Sequence, residues 1–189
     1  MIKPEALKEN IEIGQVLLKN FINLDQEERE MVRRWRNHPE VRRWMYSDHE
    51  ISQEEHARFI ENLKRDEKNF YYLVYKGDIP IGVISLTRID FKNRNAYWGV
   101  YSNPEEKIFG AGVVLEKAVL KLAFEMLKLH TLKLEVIEDN ERAKSFYKNM
   151  GFLEEGRLKE FVFKDGRWKD VIVMGMTEER YFSLKNRLL

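Results

Sequence analysis

The sequence predicts one mixed α/β domain over residues 1–189, with helices on both faces of a mostly antiparallel sheet. Three patterns support this prediction. Predicted strands and helices alternate along the chain, three central strands are joined by short turns, and two late strands form a hairpin. Of the 189 residues, 43% are hydrophobic and 34% are charged, which is ordinary for a globular protein with a real core.

The composition excludes several classes of function. Lys and Arg total 33 and Asp and Glu total 32, so the net charge of +1 argues against bulk attraction to nucleic acid or anionic lipid. The absence of cysteine excludes disulfides and thiolate nucleophiles, and the four histidines lack zinc-type spacing, so we expect no metal. No apolar run approaches a membrane span, and the first residues lack a signal-peptide core. We therefore expect a cytoplasmic protein.

The first third of the sequence is predicted to contain one strand and two helices. The apolar stretch Ile11–Leu24 is expected to contain the first strand. Asp25–Glu28 is a capping-box pattern for a helix that continues to about Arg36, and Ser52–Glu55 is a second capping box. The second helix carries an apolar stripe of His56, Phe59, Ile60 and Leu63. His56 on this stripe is either a packing residue or a contact to substrate.

A cluster of large amphipathic side chains surrounds the break between these helices. Trp35 and Trp44 would be core anchors in a purely structural interpretation. In a functional interpretation, the cluster lines a pocket for a flat or sugar-like ligand. Met45 and Tyr46 favour the pocket, because they fall between helices, where side chains can be presented to a ligand.

The remaining elements follow in order. The predicted strands are Phe70–Tyr75, Ile79–Phe91, Tyr97–Ser102, Thr131–Ile137, Phe152–Phe163 and Trp168–Met176. The predicted helices run from Val113 to about Lys128, from Asn140 to Gly151, and from Thr177 to Leu189. The exposed faces of the last hairpin and helix, with Tyr181, Phe182 and Leu184, either pair in a homodimer or brace the core.

The turn Lys107–Gly112 precedes a long helix and contains two glycines. A bend ahead of a helix leaves backbone N–H groups unpaired, and these groups together with the helix dipole form an anion site. Lys107 adds a positive charge. The turn is therefore either a pyrophosphate cradle or only a tight strand-to-helix connection.

Residues Asn140–Phe152 fit the pattern N-x-x-A-x-x-x-Y-x-x-x-G-F. Together with K-x-x-G-x-G at Lys107–Gly112, this pattern resembles the GNAT superfamily of acetyl-CoA-dependent N-acetyltransferases. The resemblance extends from about Ile11 to Met176. One departure is Lys107, which stands where that family usually has Gln or Arg.

The resemblance implies the GNAT fold, in which the strand equivalent to Tyr97–Ser102 bulges and separates from the strand equivalent to Thr131–Ile137. The pantetheine arm of acetyl-CoA would enter the gap and pair with the backbone of Val100 and Tyr101, and one N–H would polarise the acetyl carbonyl. The other expected acetyl-CoA contacts are Lys107, Ile108, Gly110, Ala111, Gly112, Val113, Asn140, Ala143 and Phe146.

The resemblance also implies direct attack of an amine on the thioester. Tyr147 matches the position of the general acid that protonates the CoA thiolate, and the alternative is a packing tyrosine. Glu135, in the middle of a strand, is the candidate base and would act through water, with Ser85 as a relay. The alternative for Glu135 is a solvent-facing carboxylate or a structural ion pair.

Several segments, including Arg36–Pro39 and Trp44–Ser47, resemble a GNAT subgroup in the pseudaminic acid pathway. These enzymes acetylate the 4-amino group of a UDP-linked 4-amino-4,6-dideoxy-N-acetyl-altrosamine. The expected wall for the nucleotide and the 6-deoxy sugar comprises Met45, Tyr46, Phe59 and Tyr97. The expected diphosphate contacts are Arg36, His56, Thr87 and Arg88.

Two other classes stay open. An N-terminal protein acetyltransferase of the ribosomal-protein type would need a peptide groove, often with acidic residues, in place of an aromatic pocket. A non-catalytic CoA-binding module would bind acetyl-CoA and release no free CoA with any amine. The presence of both Tyr147 and Glu135 favours an enzyme.

Overall fold

The structure is a computed structural model that describes residues 4–188. Its strands are β1 (Ile11–Ile13), β2 (Val16–Asn20), β3 (Phe70–Lys76), β4 (Ile79–Asp90), β5 (Asn95–Ser102), β6 (Thr131–Ile137), β7 (Leu153–Lys164) and β8 (Arg167–Thr177). Its α-helices are α1 (Gln26–Asn37), α2 (Pro39–Arg42), α3 (Gln53–Leu63), α4 (Ala111–Leu120), α5 (Glu141–Asn149) and α6 (Glu178–Leu188). Leu189, with which the last predicted helix ends, lies outside the described residues.

All eight strands form one sheet in the order β1-β2-β3-β4-β5-β6-β8-β7. Neighbouring strands are antiparallel except β5 and β6, which are parallel. The larger hydrophobic cluster includes residues of α4 and α6 on one face, and a smaller cluster packs under α1 and α3 on the other. The prediction of a mixed, mostly antiparallel sheet covered on both faces is confirmed.

The prediction of one strand within Ile11–Leu24 is wrong. Two short strands pair antiparallel there, because the chain reverses at Gly14, whose φ of 62° is one that glycine adopts freely. The capping box of α1 is confirmed, with Asp25 and Glu28 bonded reciprocally. In α3 only half of the predicted box forms: Ser52 caps the helix, while the Glu55 carboxylate binds His49.

The long helix after the glycine turn changes its winding. α4 continues into a π-helical segment, Lys121–Met126, in place of the regular helix predicted to about Lys128. Tyr181 of α6 is fully buried and stacks on Phe124 of this segment, with ring centroids 4.9 Å apart. This residue therefore braces the core. Phe182, at 45% exposed, does not.

β5 pairs regularly with β4 from Tyr97 to Ser102, so the bulge expected in β5 is absent from this stretch. The irregularity lies between Thr87 and Asp90 of β4, where Arg88 has a φ of 53°. An extra residue on β4 lets Arg88 leave the ladder. No helix within residues 4–188 is long and apolar enough to cross a membrane.

Gly82 of β4 lies in close contact with β5 and α4. A Cβ there would lie 2.5 Å from the Tyr101 carbonyl oxygen and 2.6 Å from Leu115 Cδ1. We expect Gly82→Ala to lower the free energy of unfolding by about 1–3 kcal/mol, because the buried backbone must shift. Urea unfolding measures this. Gly156→Ala is the matched control, since its Cβ would meet nothing within 4 Å, and an equal loss there would contradict the account.

Candidate active site

β5 and β6 part after three residue pairs, the last of which is Tyr97 with Lys133. Beyond that point β5 stays on β4 as far as Ser102, and β6 stays on β8 as far as Ile137. A V-shaped gap therefore opens between two strands that each remain anchored on the opposite side. The expected separation of these strands is present.

The hydrogen-bond register decides which backbone groups of β5 face the gap. The Asn103 N–H donates to the Ile81 carbonyl of β4, and alternate residues of a strand point to the same neighbour. Tyr101 therefore binds β4, whereas the N–H and C=O of Trp98, Val100 and Ser102 face the gap. The expectation that the Tyr101 backbone joins Val100 in the gap is wrong for this reason.

The same argument applies to β6. The Glu138 N–H donates to the Asp170 carbonyl, in continuation of the pairing with β8, so even-numbered residues point to β8. The main-chain groups of Glu135 and Ile137 therefore face the gap. An extended ligand arm between the strands would find hydrogen-bonding groups on both sides.

The Lys107–Gly112 turn lies where β5 leads into α4. Gly110 has a φ of 77° and precedes the first helical residue, Ala111. The Val114 N–H donates to the Gly110 carbonyl, while the N–H groups of Gly112 and Val113 have no acceptor within the described part of the chain. These free donors suit an anion. Lys107 is exposed and Ile108 half-buried against the larger core cluster.

α5 closes the other side of the gap. The Asn140 side chain caps α5 by accepting from the Ala143 N–H at 3.2 Å. Phe146 faces the turn, because a Cβ on Gly112 would lie 3.6 Å from Phe146 Cζ. Tyr147 is half-buried, with its ring centroid 5.6 Å from that of Trp98.

The Tyr147 hydroxyl makes no hydrogen bond to any residue that the structure describes, and its oxygen is not fully shielded from solvent. Burial raises the pKa of Tyr147, and the nearby Glu116 carboxyl raises it further. Tyr147 is therefore protonated at neutral pH and free to donate. It packs against the core as well, so the packing interpretation and the acid interpretation describe the same side chain.

Glu135 lies on the opposite face of the sheet from Tyr147. Its Oε1 accepts from Arg88 Nη2 at 2.9 Å and its Oε2 accepts from the Tyr46 hydroxyl at 2.6 Å. The Arg88 guanidinium lies 3.5 Å from the Tyr97 ring centroid. Burial and the hydrogen bond to Glu135 raise the pKa of Tyr46. The predicted base is thus held by two predicted substrate contacts.

Ser85 is level with Glu135 across the sheet. Ser85 pairs with Gly99, which lies two residues beyond Tyr97, just as Glu135 lies two residues beyond Lys133. The Ser85 Oγ would lie 3.1 Å from a Cβ on Gly99. A glycine at this position leaves the space above β5 open between the serine and the carboxylate.

A model of the acetyltransferase (GNAT) domain matches residues 23–173. The chain belongs to the GNAT acetyltransferase family. It is an acetyl-CoA-dependent N-acetyltransferase. The curated relatives that this GNAT chain matches include the acetyltransferase PseH of Campylobacter jejuni, 38% identical over 148 residues, which are 78% of this chain and 91% of PseH. Spermidine N(1)-acetyltransferase of Vibrio cholerae is 33% identical over 54% of this chain and 60% of that protein.

Solved structures of both kinds of relative are similar to this GNAT chain. The V. cholerae spermidine N-acetyltransferase in complex with CoA and spermine aligns with a TM-score of 0.80 and 25% identity, over 90% of this chain and 99% of that one. C. jejuni PseH in complex with acetyl coenzyme A aligns with a TM-score of 0.66 and 28% identity, over 86% and 98%. The predicted GNAT fold is confirmed.

The geometry fits acetyl-CoA. The free edge of β5 at Val100 suits the amides of the pantetheine arm, and the unpaired N–H groups of Gly112 and Val113 suit the pyrophosphate. Acetyl-CoA supplies the activated acyl group. No group of three or more His, Cys, Asp or Glu side chains that could hold a metal ion occurs within residues 4–188.

Arg36 lies on the acceptor face, the side of the sheet that carries Glu135. Its Nη2 donates to Ser47 Oγ at 2.9 Å, while its Nη1 is buried and unpartnered within the described chain. Burial lowers the pKa of Arg36, and the nearby Tyr101 and Tyr71 oppose this shift. A half-buried guanidinium with a free, buried donor suits an anionic or carbonyl oxygen of a substrate.

His56 lies apart from this group. Its ring packs between Phe21 and Phe59, and burial lowers its pKa to about 4. His56 is neutral at pH 7, so the expected diphosphate contact would lack a positive charge. Phe59 itself borders the acceptor face, with its ring centroid 5.0 Å from that of Tyr71.

The other predicted substrate residues border the acceptor face less closely. Thr87 pairs with Tyr97 and is half-buried, and Met45 is half-buried beside Tyr46. Trp35 is 1% exposed and is a core anchor, as in the structural interpretation. The sequence interpretation missed Trp98 and Glu116, because a tryptophan in a strand and a charged residue in a helix are ordinary patterns.

Proposed function

We propose that this enzyme transfers acetyl from acetyl-CoA to the 4-amino group of a UDP-linked 4-amino-4,6-dideoxy-N-acetyl-altrosamine. This reaction belongs to pseudaminic acid biosynthesis, which supplies a precursor for flagellin glycosylation. The observation that carries the proposal is 38% identity to PseH over 78% of this chain and 91% of PseH. It extends the resemblance of the segments around Arg36 and Tyr46.

The charges of the acceptor face support an anionic substrate. Arg88 is 55% exposed at its side chain and stacks on Tyr97, and Arg36 offers a free Nη1. A nucleotide sugar presents a flat base, a charged diphosphate and an apolar methyl group. Aromatic rings, guanidinium groups and the Met45 thioether suit these parts in turn.

A polyamine is the second candidate, since the V. cholerae neighbour is a spermidine N-acetyltransferase. A polycation would favour several free carboxylates around the acceptor site. Here both oxygens of Glu135 are already engaged, one of them by the Arg88 guanidinium. The ion pair makes this face less suitable for a polycation. A ribosomal-protein type of substrate is the third candidate, and it would likewise favour acidic residues.

The proposed mechanism assigns one task to each residue. Glu135, through a water and with Ser85 as a relay, takes a proton from the substrate ammonium. The Val100 N–H polarises the acetyl carbonyl, and Tyr147 gives a proton to the leaving sulfur. Gly112 and Val113, assisted by Lys107, hold the pyrophosphate. Glu135 and Tyr147 lie on opposite faces of the sheet, so the gap is where the amine and the sulfur would meet.

The test is a mass measurement of products. The enzyme is incubated with acetyl-CoA and, in parallel, with the UDP-4-amino-sugar, spermidine, or a peptide with a free N-terminus. We expect a gain of one acetyl group on the nucleotide sugar at a far higher kcat/KM than on the other amines. Preferred acetylation of spermidine or the peptide would overturn the substrate assignment. Acetyl-CoA binding without release of CoA to any amine would indicate a non-catalytic module.

We further propose that residues 1–189 act as one domain, that the reaction takes place in the cytoplasm, and that the enzyme forms a homodimer without nucleic-acid or membrane partners. β7 is an exposed edge strand and supports the homodimer. Its exposed aromatic residues include Phe161 and Phe163, at 52% and 56% exposed. Analytical ultracentrifugation would test this association.

A further inference from the structure

A buried carboxyl group lies behind Tyr147. Glu116 of α4 is 0% exposed, and neither of its carboxyl oxygens has a hydrogen-bond partner within the described chain. Burial raises its pKa to about 9, so Glu116 is protonated at neutral pH. An ionisable group in such a place is costly, because a buried polar group without a partner loses its hydration.

The helix geometry directs Glu116 toward α5. Residues four apart lie on one face of a helix, and four residues earlier a Cβ on Gly112 would lie 3.6 Å from Phe146 Cζ. Glu116 therefore faces α5 one turn further along, and its carboxylate, when ionised, raises the pKa of Tyr147.

A second unpartnered polar group lies beside the same tyrosine. The Trp98 indole N–H is buried and has no acceptor within residues 4–188, and the Trp98 ring is 5.6 Å from that of Tyr147. Three polar groups without hydrogen-bond partners among the described residues therefore lie at the wall of the gap. They are the Glu116 carboxyl, the Tyr147 phenol and the Trp98 indole N–H. Tyr147 from α5 is the titratable group that faces Glu116, and Trp98 from β5 does not titrate. Among the described residues, no charged neighbour shifts the pKa of Glu116, and burial alone raises it.

Tyr147 alone is poorly matched to its proposed task. Its raised pKa lies above the ordinary value of 10, whereas a thiol has a pKa of about 8.5. Transfer of its proton to sulfur is therefore uphill unless the phenolate recovers a proton from a stronger acid. Glu116 is such an acid, since its pKa of about 9 is close to that of a thiol.

We propose that Glu116 is a positioning residue that supplies Tyr147 with the proton lost to the leaving sulfur. The inference deepens the proposed function and depends on the acid role of Tyr147. As the C–S bond breaks, its electron pair goes to sulfur, and sulfur takes the Tyr147 hydroxyl proton. The Tyr147 oxygen takes the Glu116 proton, directly or through a water that the Trp98 N–H holds. Glu116 is left as a carboxylate and regains a proton from solvent after the products leave.

The first test is Glu116→Gln, which keeps the shape of the side chain and removes its acidic proton. We expect kcat to fall at least tenfold, with the KM for acetyl-CoA unchanged. In a Tyr147→Phe background the same change is expected to have no further effect on kcat, because the two residues act in one pathway. An equal loss in both backgrounds, or wild-type kcat, overturns the inference.

A second readout does not depend on activity. The folded-state pKa of Glu116 is raised from 4.5 to about 9, so its protonation stabilises the native state at low pH, and this stability is lost as pH rises between those values. The urea midpoint of Glu116→Gln is therefore expected to rise relative to wild type as the pH goes from 5 to 9. A constant difference between the two proteins would show an ionised carboxylate and overturn the proposal.

Two outcomes separate this inference from the proposed function. If Tyr147→Phe retains wild-type kcat, the acid role fails and the inference fails with it. If Tyr147→Phe loses activity and Glu116→Gln does not, only the inference fails. Should Glu116→Gln not fold, the wild-type enzyme is measured in mixtures of H2O and D2O. Glu135, Tyr147 and Glu116 would each move a proton, so a dependence of kcat on deuterium content that fits three protons in motion is expected, and one that fits two or fewer overturns the relay.

Discussion

Tyr147→Phe is expected to lower kcat by about 10²- to 10⁴-fold and to leave the KM for acetyl-CoA nearly unchanged. The substitution keeps the ring that packs against Trp98 and Phe152 and removes only the hydroxyl. That hydroxyl has no hydrogen-bond partner in the described structure, so the folded state loses little when it is removed. Steady-state kinetics of CoA release measure the effect.

Tyr75→Phe is the matched control for this substitution. Tyr75 is also half-buried, and its hydroxyl donates to Glu28 on the far side of β3 from the gap. We expect wild-type kcat for this variant. If Tyr147→Phe also retained wild-type kcat, a general-acid role for the phenol would be excluded, and Tyr147 would be a packing residue.

Glu135→Gln is expected to lower kcat/KM at neutral pH by about 10²-fold or more, because an amide cannot take a proton from the attacking ammonium. The loss should diminish as the pH approaches the pKa of the substrate amine, where free amine is abundant in solution. The Gln amide oxygen can still accept from Arg88, and its NH2 group can donate to the Tyr46 hydroxyl oxygen, so the acceptor face keeps its shape. A pH profile of kcat/KM measures both effects.

Glu155→Gln provides the comparison for this charge change. Glu155 of β7 binds Lys133 at 2.6 Å. Lys133 lies two residues before Glu135 on β6, so Glu155 takes part in a similar ion pair on the β7 side of that strand. We expect its kcat/KM to match that of wild type. An equal loss in both variants would point to the overall charge of this face, and a pH-independent loss in Glu135→Gln would point to substrate binding.

Local rules predicted much of the fold. Capping residues at Asp25 and Ser52, the turn before Arg167, and alternating apolar residues located most strands and helices within a few residues. Gly14 was overlooked, because a single glycine in an apolar stretch is a weak signal, although here it divides the first strand in two. These elements depend on residues close in sequence, which a single chain displays directly.

The site was less accessible to sequence reasoning. Arg88 and Glu135 are 47 residues apart, and only their hydrogen bond in the folded chain shows that they meet. The opposite roles of the Val100 and Tyr101 backbones follow from one hydrogen bond, Asn103 to Ile81, that no sequence pattern encodes. Glu116 lies beside Lys117 and would be expected to face solvent. Its burial depends on how α4 rotates against α5.

Hydrogen exchange of individual amides, followed by NMR with and without saturating acetyl-CoA, tests the central claim most directly. If the thioester arm lies between β5 and β6, acetyl-CoA should slow exchange at the amides of Val100, Gly112 and Val113. The amide of Tyr101 should change little, since it already binds β4. Unchanged exchange at Val100 and at the glycine turn, with acetyl-CoA bound at saturation, would contradict the proposed site.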